Sequence, residues 1–453
     1  MNGHSERASG ERTAAMEPAV PKNQPKIATL ALFGLAAGLS LIFGEIGTTK
    51  SLQEHVPEFV ALILLAGILY LIGCYLVERF SLGWIALSVI LLSSVGFRLF
   101  LLPADPAISD DVYRYQWDGA VQRAHLNPYE VYPAMRELKP LENPQHPLTA
   151  GTVTPTVYPP LSELLFRRLR SVPQIKVTFT LLDLGSIGVL LGLLAHTGMK
   201  LHRVLLYAWN PAVVVSFALS GHVDSLAIFA LLLGFLFLAR NWPRLSLGWL
   251  TLSVLAKFFT LVLLPVFLRK AGVLRAWVFG LVAMVLYLPF LSSGTHLFTG
   301  LSNFSKDWEN NDSAFRLIRL WVSSKQTAEI VAGGVVLLLL AYVLAAGTPA
   351  LRAGLIVTGG ILLVSPNAFP WYFTWMVPYL CFYPKPSWLL MSVTSVLGYA
   401  PVVPYAAGQP FRDSPLLLAL EYLPVFGLVG YEIARSKPFT TKRTAEDAEW
   451  VLA

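Results

Sequence analysis

The chain has 453 residues, of which 55% are hydrophobic and only 13% charged. A soluble domain carries about 25% charged residues, so a soluble protein is excluded and an integral membrane protein is indicated. The formal charge of +7 falls mainly in short loops, as cytosolic loops facing anionic headgroups require, and nucleic acid is not an expected partner. Cys74 and Cys381 both lie in apolar runs, which suggests neither a disulfide framework nor a cysteine metal site.

Residues 1–26 are polar, contain Pro18, Pro21 and Pro25, and lack the apolar core of a cleaved signal peptide, so they read as a disordered cytosolic tail. Residues 436–453 read as a second cytosolic tail, and 27–435 as the membrane domain. Apolar runs near 27–44, 57–77 and 82–102 approach the roughly 20 residues needed to cross a bilayer core. Three crossings from a cytosolic start place Pro103 outside. Segment 103–172 is then a large extracytoplasmic loop. Its stretch Ile108–Pro133 concentrates acids, arginines and aromatics in an otherwise apolar chain. A helix starting after Ser109 puts Tyr113, Trp117, Ala120, Val121 and Ala124 on one face and Asp111, Arg114, Asp118, Gln122 and His125 on the other. That pattern predicts an interfacial helix with its polar side in water, ending at Asn127-Pro128. Further along the loop lie Thr156-Val-Tyr158-Pro-Pro160 and the basic patch Arg167, Arg168, Arg170.

Spans follow near 173–195, 203–219, 223–239, 273–291, 328–347, 387–404 and 416–434, with a broken pair around 351–364 and 371–383. Asp183 lies inside one span, where an acid is usually paired or functional. The inside short loops carry Arg79, Lys200 with Arg203, Arg240 with Arg244, Arg352 and Lys385, which is the positive-inside asymmetry. A single crossing at 245–268 would put Arg269 and Lys270 outside, so parity requires a break, and Lys257 in the middle of LSVLAKFFTLVLLP is its natural place. A lysine at membrane depth costs on the order of 2.5–3.5 kcal/mol and calls for a polar partner or cavity. The same count gathers four polar clusters on the outer face with Asp110: Gly221-His222-Val-Asp224, Trp308 to Arg316 within the second outer loop 294–327, Asn367 to Tyr372, and Tyr405 to Arg412.

Ser109-Asp-Asp-Val-Tyr-Arg-Tyr-x-Trp-Asp-Gly119 with Asn127-Pro-Tyr129, Tyr158-Pro-Pro160, Trp209-Asn-Pro211 before Gly221-His-x-Asp224, Lys257 in an apolar run, and Ser365-Pro-Asn-x-x-Pro-Trp-Tyr372 together resemble the GT-C glycosyltransferases. The likeness is greatest to bacterial mannosyltransferase-type members that use polyprenyl-phosphate sugars. The resemblance implies an all-α polytopic bundle of about 11–14 transmembrane segments with interfacial helices in its first large outer loop. It also implies an inner-membrane, multi-pass hexosyltransferase working at the extracytoplasmic face. Its donor would be a polyprenyl-phosphate sugar, mannose above other hexoses, passed with inversion to a lipid-linked or glycan acceptor amid membrane lipids. By analogy with members carrying a paired acidic motif, Asp110 is expected to be the base, with Asp111 its competitor. Lys257, Arg316 and His222 are phosphate-side candidates; Trp371 and Tyr372 stack on a sugar or line a lipid groove. Arg114, Asp224, Asn367 and Tyr158 complete the expected substrate-binding set. No cofactor is required by the resemblance, and a divalent ion, were one used, would sit at Asp110 and Asp111.

This chemistry agrees with elementary requirements. A sugar on a lipid phosphate already carries a leaving group, so the enzyme supplies a base for the acceptor hydroxyl, worth roughly 10²–10⁴-fold, and cations for the departing phosphate. Two other readings stand beside it. A secondary transporter also has broken helices and buried charges, but it predicts an internal repeat and a site near midplane; no repeat is evident and the polar residues gather at one face. A lipid-linked glycan polymerase or ligase would be enzymatic on the same face.

Overall fold

The computed structural model describes residues 24–435 apart from 107, 144–145, 147, 149–150, 407–408 and 410. The expected tail 436–453 and residues 1–23 of the expected tail 1–26 lie outside the described residues. The first three helices are α1 (Gln24–Thr48), α2 (Val56–Arg79) and α3 (Trp84–Leu101). The first large loop carries α4 (Asp111–Arg123) and α5 (Pro160–Arg168). Next come α6 (Val172–His196), the short turns α7 (Leu205–Ala208) and α8 (Pro211–Val214), α9 (Asp224–Ala239), α10 (Pro243–Ala256) and α11 (Leu264–Ala271). The remainder comprises α12 (Ala276–Tyr287), α13 (Thr299–Asp307), α14 (Ala314–Trp321), α15 (Lys325–Ala345), α16 (Ala350–Val364), α17 (Val377–Leu380), α18 (Pro386–Thr394), α19 (Val402–Ala406) and α20 (Pro415–Arg435). No strand occurs among the described residues beyond one isolated bridge, Asn310 to Asn367.

The chain is thus an all-α polytopic membrane protein. Among the described residues, eight helical runs are long and apolar enough to cross a membrane, or nine if the pair Pro211–Leu219 and Asp224–Ala239, bent by 120°, counts as one span. The bend falls at Gly221, whose φ of +67° is open to glycine at little cost. The remaining apolar elements are short and broken, such as α16 and the turn Pro370–Trp375 that precedes α17. The run expected at 273–291 continues helically to Lys306, with a kink at Gly294.

Asp183 is paired. Arg98 Nε on α3 lies 2.5 Å from Asp183 Oδ2 on α6, and the same guanidinium donates to the carbonyls of Ser94 (2.9 Å) and Ala208 (2.8 Å). Both side chains are sealed from solvent, so this is a structural pin between α3, α6 and α7. Breaking it leaves a buried charge alone, which costs about 3–5 kcal/mol. Arg98→Met is therefore expected to lower the unfolding temperature in detergent markedly, and Arg98→Met/Asp183→Leu to recover most of the loss; equal losses in both variants would refute the pin.

One expectation about α4 is corrected. The middle of its polar side does not face water: Asp118 and Gln122 are buried and only His125 at its end is exposed, while Ala124 on the presumed apolar face is exposed. The reason is α5. Gly119 lets the two helices meet so closely that a Cβ there would lie 2.2 Å from the Phe166 carbonyl oxygen, and Gln122 donates to both the carbonyl and the carboxylate of Glu163 at 2.8 Å. Helical periodicity shows only that α4 has two faces; a polar face with internal partners can be the buried one.

The break at Lys257 has the expected form. α10 returns from α9 after a turn at Asn241 (φ 58°) and ends at Ala256; Lys257 is extended (φ −157°, ψ 128°), and the chain restarts as a 3₁₀ turn, Phe258–Leu263, leading into α11. With 14 residues, α10 rises about 21 Å at 1.5 Å per residue. That brings Lys257 back to the level at which α9 begins, beside Asp224.

Candidate active site

The loop before α4, the break at Lys257 and the turn after Asn367 meet around a cavity of about 380 Å³. Asp110 and Asp111 enter it from the start of α4, where Asp110 is the residue preceding the first helical turn. Arg114, one turn on, and Lys257 are the other charged residues in its lining. The rest of the wall is largely aromatic, including Tyr158, Phe258, Phe259, Trp308, Phe369, Trp371, Tyr372 and Trp375. Water is thus restricted around four ionisable groups, which strengthens each electrostatic contact among them.

Two residues of one short turn organise this wall from behind. His222 and Asp224 are sealed from solvent and belong to neither the cavity lining nor its rim. His222 Nδ1 lies 3.2 Å from Asp111 Oδ2, and its ring stacks on Trp371 with centroids 4.2 Å apart. Asp224 takes both of its oxygens to Lys257 Nζ at 2.8 Å and also accepts from Trp375 Nε1 at 2.6 Å. Gly221 itself packs on the stem of Lys176 and on Val112 of α4. Lys176 Nζ, in turn, donates to the carbonyls of Leu101 and Ala104, tying down the chain that leads to Asp110.

Asp111 is also within 3.4 Å of the Tyr115 hydroxyl, which donates to it. Burial alone would push its carboxyl up; the His222 ring and, further off, the Lys257 ammonium outweigh that and hold it below the ordinary carboxylate range. Asp111 is accordingly ionised at neutral pH. Lys257 points its ammonium over the rings of Tyr372 (4.6 Å) and Trp375 (5.6 Å), a cation–π seat in an apolar wall. Its side chain remains 15% exposed toward the cavity.

Arg114 has a more structural setting than its position in the lining suggests. Nε donates to Asp118 (3.0 Å), and the two terminal nitrogens donate to the carbonyls of Gly151 (2.9 Å) and Thr154 (3.0 Å). Gly151, Thr154 and Tyr158 all line the cavity, so Arg114 hangs one wall from α4. Glu163 anchors the other end of that wall by accepting from Thr156 at 2.5 Å. Burial and then the nearby Asp118 carboxylate push the Glu163 carboxyl well above the ordinary range.

Of the residues expected from sequence, the structure brings Asp110, Asp111, Arg114, Lys257, Tyr158, Trp371 and Tyr372 to one cavity, with His222 and Asp224 directly behind. Arg316 and Asn367 are elsewhere. Arg316, 45% exposed, pairs with Asp312 (2.7 Å) and approaches Asp413 (3.7 Å); Asn367 is buried, and the backbones of its neighbours Pro366 and Ala368 bond to that of Asn310. Sequence reasoning missed Gln53 and Trp375, though the spacing of Trp375 from Trp371 places both on one turn; Trp308 and Phe411, also in the lining, belong to outer-face clusters it named without singling them out as site residues. No group of three or more His, Cys, Asp or Glu side chains arranged to hold a metal ion occurs among the described residues.

A family model described as MptA_B family, alpha-(1->6)-mannopyranosyltransferase, N-terminal domain, matches residues 28–271. That range contains both aspartates, the Gly221–Asp224 turn and Lys257. No curated protein and no solved structure matches the chain.

Proposed function

The chain belongs to this alpha-(1->6)-mannopyranosyltransferase family, and from that premise we propose that it moves mannose from a polyprenyl-phosphate donor to a lipid-linked or glycan acceptor. The reaction is placed at the extracytoplasmic face of the cell membrane and inverts the anomeric carbon. The observation that carries this reading is the placing of two carboxylates and one lysine in an aromatic cavity between membrane helices. An isoprenoid chain requires apolar walls, a phosphate requires a cation, and an attacking hydroxyl requires a base.

In this scheme the phosphate lies at Lys257, whose charge Asp224 orients without removing it from the cavity. The acceptor oxygen bonds to the anomeric carbon as the bond from that carbon to the phosphate oxygen breaks. Its proton passes to Asp110, and the polyprenyl phosphate leaves as the anion. Asp111, fixed by His222 and Tyr115, holds the sugar or the helix start in place. The scheme requires no cofactor. Purified protein given radiolabelled polyprenyl-phosphate mannose or glucose with membrane lipid extracts is expected to transfer mannose. Solute movement in vesicles without consumption of sugar-phosphate lipid would instead identify a transporter.

The face is tested separately. Cys74 and Cys381 are both buried, so a cysteine at exposed Val153 in the Cys74→Ala/Cys381→Ala background is the single accessible thiol among described residues. It is expected to react with an impermeant maleimide on intact cells. Labelling only after permeabilisation would place the site on the cytosolic side.

A further inference from the structure

Aromatic contacts give the cavity a direction. Lys257 lies over Tyr372, which meets Phe369 (5.6 Å) and Trp371 (5.9 Å); Trp371, through His222, marks the position of Asp111. Phe369, which also stacks on Trp371 at 4.6 Å, carries the aromatic path away from Lys257 to Trp308 at 5.7 Å and on to Phe411 at 6.2 Å. The two ends differ in surroundings. Near Lys257, Phe258 continues to Phe298 (6.4 Å), which is half exposed on the outer surface of the α12–α13 run, an apolar exit. Trp308 and Phe411 instead lead along the chain into a polar region: the Trp308 carbonyl accepts from Lys325 Nζ at 2.7 Å, and the Glu309–Arg319 and Asp413–Arg316 pairs (3.7 Å each) lie one and two residues further on, outside the cavity lining.

We propose that the Trp308–Phe411 end is the acceptor subsite and takes the saccharide part of the acceptor, not an isoprenoid or acyl chain. The inference rests on the donor reading above, with phosphate at Lys257 and the acids at the reacting carbon. An inverting displacement brings the attacking hydroxyl in from the side opposite the leaving phosphate. The acceptor body then extends away from Lys257, past the acids, toward Trp308. A pyranose ring suits this end because its C–H faces pack on aromatic rings while its hydroxyls reach the polar segments that follow Trp308 and Phe411 in the chain. The lipid of the donor leaves by Phe258 and Phe298.

The test uses the full chain in detergent with polyprenyl-phosphate mannose as donor and octyl alpha-(1->6)-dimannoside as acceptor. Trp308→Leu is expected to raise the acceptor KM about tenfold or more, with the donor KM and kcat within about twofold, and Trp308→Phe to restore most of the loss. Phe411→Leu, on a separate segment, is expected to show the same split, and Phe258→Leu the opposite one, raising the donor KM. A higher donor KM with unchanged acceptor KM in the Trp308 and Phe411 variants, or no split, overturns the subsite. Wild-type protein that consumes no polyprenyl-phosphate mannose overturns the donor reading and this proposal with it, and is distinguishable because it fails before any variant is compared.

Discussion

Asp110→Asn is expected to lose at least about a hundredfold in kcat while its donor KM changes by no more than a few-fold. Asparagine keeps the size and hydrogen-bonding shape of the side chain and removes only its capacity to take a proton, so the loss reports base catalysis, for which 10²–10⁴-fold is usual. Asp110 is favoured over its neighbour on structural grounds. Asp111 is held by His222 and Tyr115 and kept below the ordinary carboxylate range, which makes it a firm anion and a weaker proton acceptor. Asp111→Asn is accordingly expected to raise a substrate KM more than it lowers kcat. Reversed phenotypes would exchange the two roles. Near-normal turnover in both variants would remove this loop from catalysis.

The second large effect concerns Lys257. Lys257→Met is expected to raise the donor KM by one to two orders of magnitude, because the leaving phosphate loses its cation in a wall that excludes water. The pairing with Asp224 complicates the single variant. Asp224 is completely buried with both oxygens on Lys257, and an unpaired buried carboxylate destabilises by about 3–5 kcal/mol. Lys257→Met/Asp224→Asn separates the two effects: it is expected to restore thermal stability in detergent and leave donor use impaired. A double variant that recovers stability and normal donor affinity together would make Lys257 a structural partner only.

The positioning residues show why the site was only partly legible in the sequence. Asp110, Asp111 and Lys257 stood out because a charge in an apolar chain needs a reason, and the inside loops assigned them to one face by parity. His222 and Asp224 stood out for the same reason, yet the motif does not tell whether such side chains enter a cavity or support it. That depends on what packs above them, here Asp111 with Trp371 and Lys257 with Trp375. Arg316 was grouped with the site on membrane face alone, and sharing a face does not imply sharing a cavity. Trp308 and Phe411 fall inside the outer-face clusters Trp308 to Arg316 and Tyr405 to Arg412, yet the sequence does not single them out within those clusters, since an aromatic near a bilayer is ordinarily an anchor.

Composition and hydrophobic run length determined the all-α membrane architecture, since in lipid each backbone amide must be satisfied within its own segment and apolar length decides which segments cross. Parity with the basic loops determined that the chain breaks at Lys257. Only the tertiary structure decided which face of α4 is buried, which of the polar groups at one membrane face converge, and that His222 and Asp224 stand behind the wall. These are contacts between segments up to 151 residues apart in the chain, as between Trp375 and Asp224. No local periodicity encodes them, because they arise from how closely helices approach, as Gly119 allows α4 and α5 to do.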